Sequence, residues 1–227
     1  MKLKIPSRPA YIVIFLLLAF LCYQAHQLAR HLVGAAMCGG FGTMTFTVTI
    51  TREPCSFPTL VILAGPLLTY GLAWSGMFLL RSPKYRLFAY TLIFASFAHL
   101  RFIQTLTGRG DELILAEGWF GISNRAIVAL IVFLIGLPPV IAAFQVIANR
   151  RRVLVFICSW LLPLPLLSAM LFGNQILFGA SGDEIQGGSL LGISLIVFMT
   201  DLIAGVLLIV FGPRYLRPQD QPITNSR

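Results

Sequence analysis

Charge is what this chain has least of. Only 11% of its 227 residues are Asp, Glu, Lys or Arg, against about a quarter in a soluble domain. Acidic residues are the scarcer sign, 8 against 17 basic ones, and histidine occurs 3 times. A water-facing surface cannot be built from so few charges, which excludes an ordinary soluble enzyme. Low-complexity tracts are missing, and so is any repeat of roughly 20–50 residues, which excludes solenoids and arrays. What fills the space is apolar: 57% of the residues are hydrophobic and the mean hydropathy is +0.86. This is the composition of an integral membrane protein. The net charge of +9 would point to nucleic acid in a soluble protein. Here the basic residues sit between apolar runs and report topology, so the bilayer is the expected partner and nucleic acid is not.

A helix needs roughly 20 apolar residues to cross the hydrocarbon core. Segments near 10–33, 57–80, 86–106, 126–148, 152–173 and 188–212 meet this. The third is the weakest, because His99, Arg101 and Gln104 interrupt its end. Pro66, Pro138, Pro139, Pro163 and Pro165 fall inside spans, where neighbouring helices can satisfy the carbonyls that proline frees. The expected fold is an all-α polytopic membrane protein of about six transmembrane helices, a single domain over 1–213 with a polar tail at 214–227. Lys2, Lys4 and Arg8 precede the first span; Arg81, Lys84 and Arg86 fill the second loop, Arg150, Arg151 and Arg152 the fourth. Arg214 and Arg217 follow the sixth span. Asp111, Glu112 and Glu117 lie in the third loop, Asp183 and Glu184 in the fifth. The positive-inside rule then predicts cytoplasmic N- and C-termini in the cell (inner) membrane, with loops one, three and five outside. A cleaved signal peptide is not expected: Ala35 and Ala36 lie too far beyond the apolar core at 11–22, and Leu21 is wrong for cleavage before Cys22.

Residues 42–52, GTMTFTVTITR, alternate strictly: Thr43, Thr45, Thr47, Thr49 and Thr51 on one face, Met44, Phe46, Val48 and Ile50 on the other. Period two with β-branched residues predicts a short strand after the first helix. A lone strand leaves an open edge, so it pairs with another strand, packs on the bundle or receives an extended peptide. Cys38 and Cys55 flank it on the side predicted to be oxidising, so they are either a disulfide or two free thiols. Two cysteines are too few for a structural zinc site. Cys158, inside the fifth span, reads as a small apolar residue.

Ionisable groups inside spans are costly and mark functional candidates. They are His26 and Arg30 in the first helix, His99 and Arg101 in the third and Asp201 in the sixth. Cys22, His26 and Arg30 follow one another at every fourth position and share a helix face, and His31 begins a neighbouring stripe. The plainer readings are a core histidine, arginines that snorkel to the interface, and an Asp201 that glues helices. Asp201 needs a partner, expected to be Arg or His on another helix.

Three stretches in order resemble the site-2 protease family of intramembrane zinc metalloproteases. CYQAHQLARHLVG, residues 22–34, is similar to the family's H-E-x-x-H-x-x-x-A-R-x-x-G, with His26, Ala29, Arg30 and Gly34 matching. The strand that follows looks like the family's membrane-associated β segment. ILAGPLLTYGLA, residues 62–73, is similar to A-G-P-x-x-N, with Ala64, Gly65 and Pro66 in place and Thr69 where Asn is usual. TGRGDELILAE, residues 107–117, puts Asp111 where the family's third zinc ligand, the Asp of a D-G motif, is expected. The resemblance covers 10–125; the three further spans of 126–213 carry no such motif. It implies a site nearer the cytosol, whereas the charge pattern puts His26 and Asp111 toward the outside.

The departures decide the chemistry the resemblance implies. A zincin helix needs two His one turn apart with an intervening Glu as base. Cys22 stands at the first His and Tyr23 at the Glu. A phenol with a pKa of about 10 stays protonated at neutral pH, and losing a general base costs about 10²–10⁴-fold in rate. The first expectation is therefore a non-catalytic relative, binding no cofactor, that holds or regulates a membrane protein or extended peptide at the 43–51 strand. The second is a divergent zinc metallopeptidase with Cys22, His26 and Asp111 as ligands and Glu112 as surrogate base. The third is a transporter or membrane-complex subunit with Asp201, His99 and Arg101 along a polar path.

Overall fold

The computed structural model of the protein describes residues 2–108, 110–179 and 188–216. Asp183, Glu184, Arg217 and the rest of the tail lie outside them. Six helical segments are long and apolar enough to cross a membrane: Pro9–Met37, Pro58–Leu79, Pro83–Leu106, Arg125–Val146, Arg152–Phe178 and Leu195–Tyr215. The chain is a polytopic helical membrane protein with a small β-sheet beside its first helix.

Helix α1 (Pro9–Met37) has 29 residues, and a rise of about 1.5 Å each carries it past a hydrocarbon core of about 30 Å. It packs on α2 (Pro58–Leu79), which runs through Pro66 without a break. The third span is α3 (Arg86–Ala95), one 3₁₀ turn (Ala98–Leu100) and α4 (Arg101–Leu106). Its bend is at Phe97, a non-glycine residue with φ 62°, a left-handed conformation that costs roughly 1–2 kcal/mol. This span is the most enclosed of the six. Its polar interruptions are the result of burial inside the bundle, not of a weak span. Tyr90, Ile93 and Phe94 of α3 sit in the core beside Tyr11, Phe15 and Leu18 of α1.

A short helix, α5 (Asp111–Phe120), leads to α6 (Arg125–Val146). Asn124 caps α6 by accepting hydrogen bonds from the backbone N–H of Ala126 and Ile127. Pro139 within α6 has no N–H to offer the carbonyl of Ile135, and Trp74 of α2 supplies one from its indole at 3.2 Å. The fifth span divides at Leu162 into α7 (Arg152–Leu161) and α8 (Pro163–Phe178), and α9 (Leu195–Tyr215) is the sixth. The N-terminal segment pairs with the chain beyond α6: Leu3 N–H donates to Val146 O, and Asn149 brackets Ile5 through both its amide atoms. That places Lys2 and Lys4 beside the Arg150–Arg152 cluster, at the opposite end of α1 from the sheet.

The alternating stretch 43–51 is not one strand. It folds back as a hairpin of β1 (Thr43–Met44) and β2 (Thr49–Ile50), with Thr45 Oγ1 bonding Val48 across the turn. A second hairpin, β3 (Ser189–Leu190) and β4 (Ile193–Ser194), occupies residues expected to start the sixth span. Leu191 and Gly192 both have positive φ, 52° and 77°, as a two-residue type I′ turn requires. A Cβ at Gly192 would collide with the backbone oxygen of Gly42, so glycine is needed there. The sheet order is β2-β1-β4-β3, with β1 and β4 parallel. His31 donates from Nε2 to the Leu191 carbonyl at 2.8 Å and fixes this turn to α1. Cys38 and Cys55 form a disulfide, with Cα atoms 4.4 Å apart, that closes the base of the first hairpin onto the end of α1.

Candidate functional site

The half of α1 nearest the sheet carries a polar stripe, and three distant pieces of chain converge on it. His26 is buried and both ring nitrogens are engaged. Nδ1 lies 2.9 Å from Thr69 Oγ1 of α2, and Nε2 lies 3.3 Å from Asp111 Oδ2 at the first residue of α5. The carboxylate can only accept, so the ring proton sits on Nε2 and the Thr69 hydroxyl donates to Nδ1. One turn beyond His26, Arg30 donates from Nη1 to Asp111 Oδ1 at 3.2 Å. Gly65 faces the imidazole: a Cβ there would lie 2.5 Å from Cε1 and 2.6 Å from Nε2. The residues at the A-G-P-x-x-N-like stretch, the H-x-x-x-A-R-like stretch and Asp111 therefore share one site.

Gly65→Ala is expected to destabilise the protein by about 1–3 kcal/mol, because either the ring or the helix must move. Gly71→Ala, on the same helix with nothing within 4 Å of its Cβ position, is the control and should be neutral or slightly stabilising. Thermal unfolding of the two variants in one detergent checks this; equal effects would remove the close contact from the account.

Arg101 enters from the bent third span. Its Nη2 donates to Asp111 Oδ2 at 2.9 Å, its Nε to Glu112 Oε1 at 2.7 Å and its Nη1 to Gln104 Oε1 at 3.2 Å. The Tyr70 hydroxyl donates to the same Glu112 oxygen at 2.9 Å. Burial opposes ionisation of Asp111, but the hydrogen bond from His26 and the charges of Arg30 and Arg101 outweigh it and hold the carboxyl below the usual carboxylate range. The whole cluster is shielded: side-chain exposure is 7% for His26, 14% for Asp111, 10% for Arg101 and 9% for Glu112.

Cys22 and Tyr23 share a cavity with His26, Thr69, Phe97 and Arg101 of about 10 Å³, room for one water at most. Tyr23 stacks near His26 and accepts a hydrogen bond from Gln27. The residues do not fit the zinc site that the resemblance implies. Both oxygens of Asp111 are held by guanidinium N–H groups. Among the described residues no group of three or more His, Cys, Asp or Glu side chains is arranged to hold a metal ion.

Two glutamines complete the stripe and were not singled out as candidates. Gln24 donates to Phe46 O at 3.2 Å, and Gln27 donates to Thr47 O at 3.1 Å while accepting from Thr49 Oγ1 at 2.9 Å. They tie the first hairpin to the helix that carries His26. Their signal was present: two amides three residues apart in an otherwise apolar run need partners. Asp201 did not find the partner expected of it. His99 donates to Trp160 O, Arg101 is committed to Asp111 and Glu112, and among the described residues no basic group forms an ion pair with Asp201. The polar path from Asp201 through His99 and Arg101 is thus not formed.

No protein family, no curated protein and no solved structure matches this chain.

Proposed function

We propose that this chain is a non-catalytic membrane protein on a site-2-protease-like frame, which binds an extended segment of a membrane partner beside its small sheet. One observation carries the reading: His26 and Asp111, 85 positions apart in sequence, meet at 3.3 Å with Thr69 and Gly65 on the other side of the ring. That three stretches chosen by their similarity to one family's motifs converge is what supports the reading. The position where that family keeps its catalytic Glu is Tyr23, whose hydroxyl is taken up by Gln27. The frame is kept while the base is gone. The exposed edges for a partner are β2, ending at Ile50, and β3, whose Ser189 and Leu190 are exposed. An extended peptide adds to such an edge by backbone hydrogen bonds.

The N- and C-termini are cytoplasmic and the sheet lies outside, in the cell membrane. The disulfide of Cys38 and Cys55 supports this, because disulfides persist in oxidising compartments.

The test uses the full chain purified from its own membrane in detergent, with a photo-crosslinking residue at Ile50. Zinc is expected at background, equal to that of a Cys22→Ala/His26→Ala variant, and a crosslink to a membrane protein is expected. Stoichiometric zinc lost in the variant would replace this reading with the divergent metallopeptidase.

A further inference from the structure

We propose that the cavity between the bent third span, α6 and α7 binds a lipid alcohol dissolved in the bilayer, its one hydroxyl donating to His99 Nδ1 and accepting from the Trp160 indole N–H. The cavity measures about 380 Å³, within the range of about 300–1,000 Å³ usual for small-molecule sites. None of its lining residues belongs to the Asp111 cluster, so it stands apart from the site described above.

Aromatic rings build the walls. Phe102 and Phe133 meet edge to face at 5.5 Å between centroids, Phe144 and Phe156 at 5.2 Å, and Phe156 and Trp160 at 5.8 Å. Rings braced against one another in this way keep their places, so the space is preformed. Where α6 meets the 3₁₀ turn the lining is Gly136 and Ala98, which fill little of it. Phe133 and Ile141 line the cavity and are also exposed on the outside of α6. That outside belongs to a membrane-spanning helix, so the cavity is entered from lipid and its occupant is largely apolar.

Two of the lining residues carry a nitrogen that lacks a partner. His99 is 5% exposed. Its Nε2 donates to the Trp160 carbonyl, which can only accept, so the tautomer is fixed and Nδ1 is a bare acceptor. The Trp160 indole can only donate. Among the described residues neither His99 Nδ1 nor Trp160 Nε1 has a hydrogen-bond partner, and both are buried. Such groups are costly in hydrocarbon. One acceptor and one donor call for a group that is both, and a hydroxyl is that group, whereas an ether oxygen can only accept. A water would leave its second hydrogen against the rings; in an alcohol an alkyl chain takes that hydrogen's place. Both nitrogens are covered in the structure, so seating the hydroxyl takes a turn of the indole.

The experiment incubates the full chain in detergent with a diazirine-bearing hexadecanol, crosslinks it by light and maps the label by mass spectrometry. Hexadecanol, hexadecyl methyl ether and hexadecane are the competitors. Label is expected on segments 98–102, 132–144 and 156–160. Hexadecanol should compete about 3–10-fold better than the ether, which is the worth of one hydrogen bond, and the alkane should be weakest. Trp160→Phe keeps a ring and removes the indole donor, so the ether should fall to the level of the alkane. Val140→Phe fills the cavity and should abolish the label. Thermal midpoint and monodispersity show that each variant is folded; where Val140→Phe is not, Leu137→Phe is read in its place, and the wild-type competition series decides without any variant. Label spread evenly over the lipid-facing helices, or three competitors of equal strength in wild type, overturns the proposal and leaves plain partition of the probe. A ranked series that Trp160→Phe leaves unchanged overturns it as well.

Discussion

Asp111→Asn is expected to cost about 3–5 kcal/mol of stability, the range found when one partner of a buried ion pair is removed. The reason is what remains. Arg30 loses its carboxylate, Arg101 keeps Glu112 as its one carboxylate partner among the described residues, and His26 faces an amide, all at sites with little water. The same pair on an exposed surface would be worth roughly 0–1 kcal/mol, so the measurement discriminates sharply. A second variant separates charge from packing. Asp111→Asn combined with Arg101→Met removes the uncompensated cation with its anion, and should recover much of the loss because well-packed apolar replacements of a buried pair are often near neutral. The acid limb gives an independent check. The Asp111 carboxyl is depressed in the folded protein, so its contribution is fully present above its unfolded value of about pH 3.9 and is lost only as pH falls through the lower folded value. Between neutrality and about pH 5 wild-type stability should therefore not change on account of this group. Below about pH 4 wild type should fall toward the Asn variant. Denaturation in detergent across pH reads both effects, and a loss under about 1 kcal/mol at neutral pH would mean that the cluster is solvated.

Cys38→Ser/Cys55→Ser is the second large effect. The disulfide spans a sequence separation of 17 residues, and closing a loop of that size in the unfolded chain is worth about 3 kcal/mol on the chain-entropy account. The enclosed segment holds the first hairpin. Gln24 and Gln27 bond the turn of that hairpin from the α1 side, so the two restraints are coupled, and loosening one weakens the other. Wild type in reductant should match the serine variant in thermal midpoint. The hairpin amides should exchange faster in both, while the helices of the first and third spans keep their protection. An unchanged midpoint would show that the glutamine tethers alone order this loop.

The membrane class and the number of spans were legible because hydropathy is a local, additive property of a run of residues. Boundaries were less so. The sixth span was expected to begin at 188 and begins at Leu195, because Leu191 and Gly192 take positive φ and build a hairpin instead. The 43–51 alternation correctly marked β structure, but its period held through a turn that Thr45 and Val48 close locally. The site was legible in its residues and not in its wiring. His26 was named as an ionisable group inside a span, Asp111 and Thr69 through the resemblance, and the three meet. Arg101 was placed on a path with Asp201, and it belongs to Asp111 and Glu112 instead. That assignment depends on a left-handed Phe97, and nothing in the residues around Phe97, where glycine would be the usual choice, announces such a bend.

The pairing of Met44 with Ile193 has a consequence in time. During synthesis the first hairpin is made while the strand that will flank it has not been. One side of β1 stays bare until the second hairpin has been made. A chain truncated before the second hairpin carries an unmated edge of β1 beside His31 for as long as it lives.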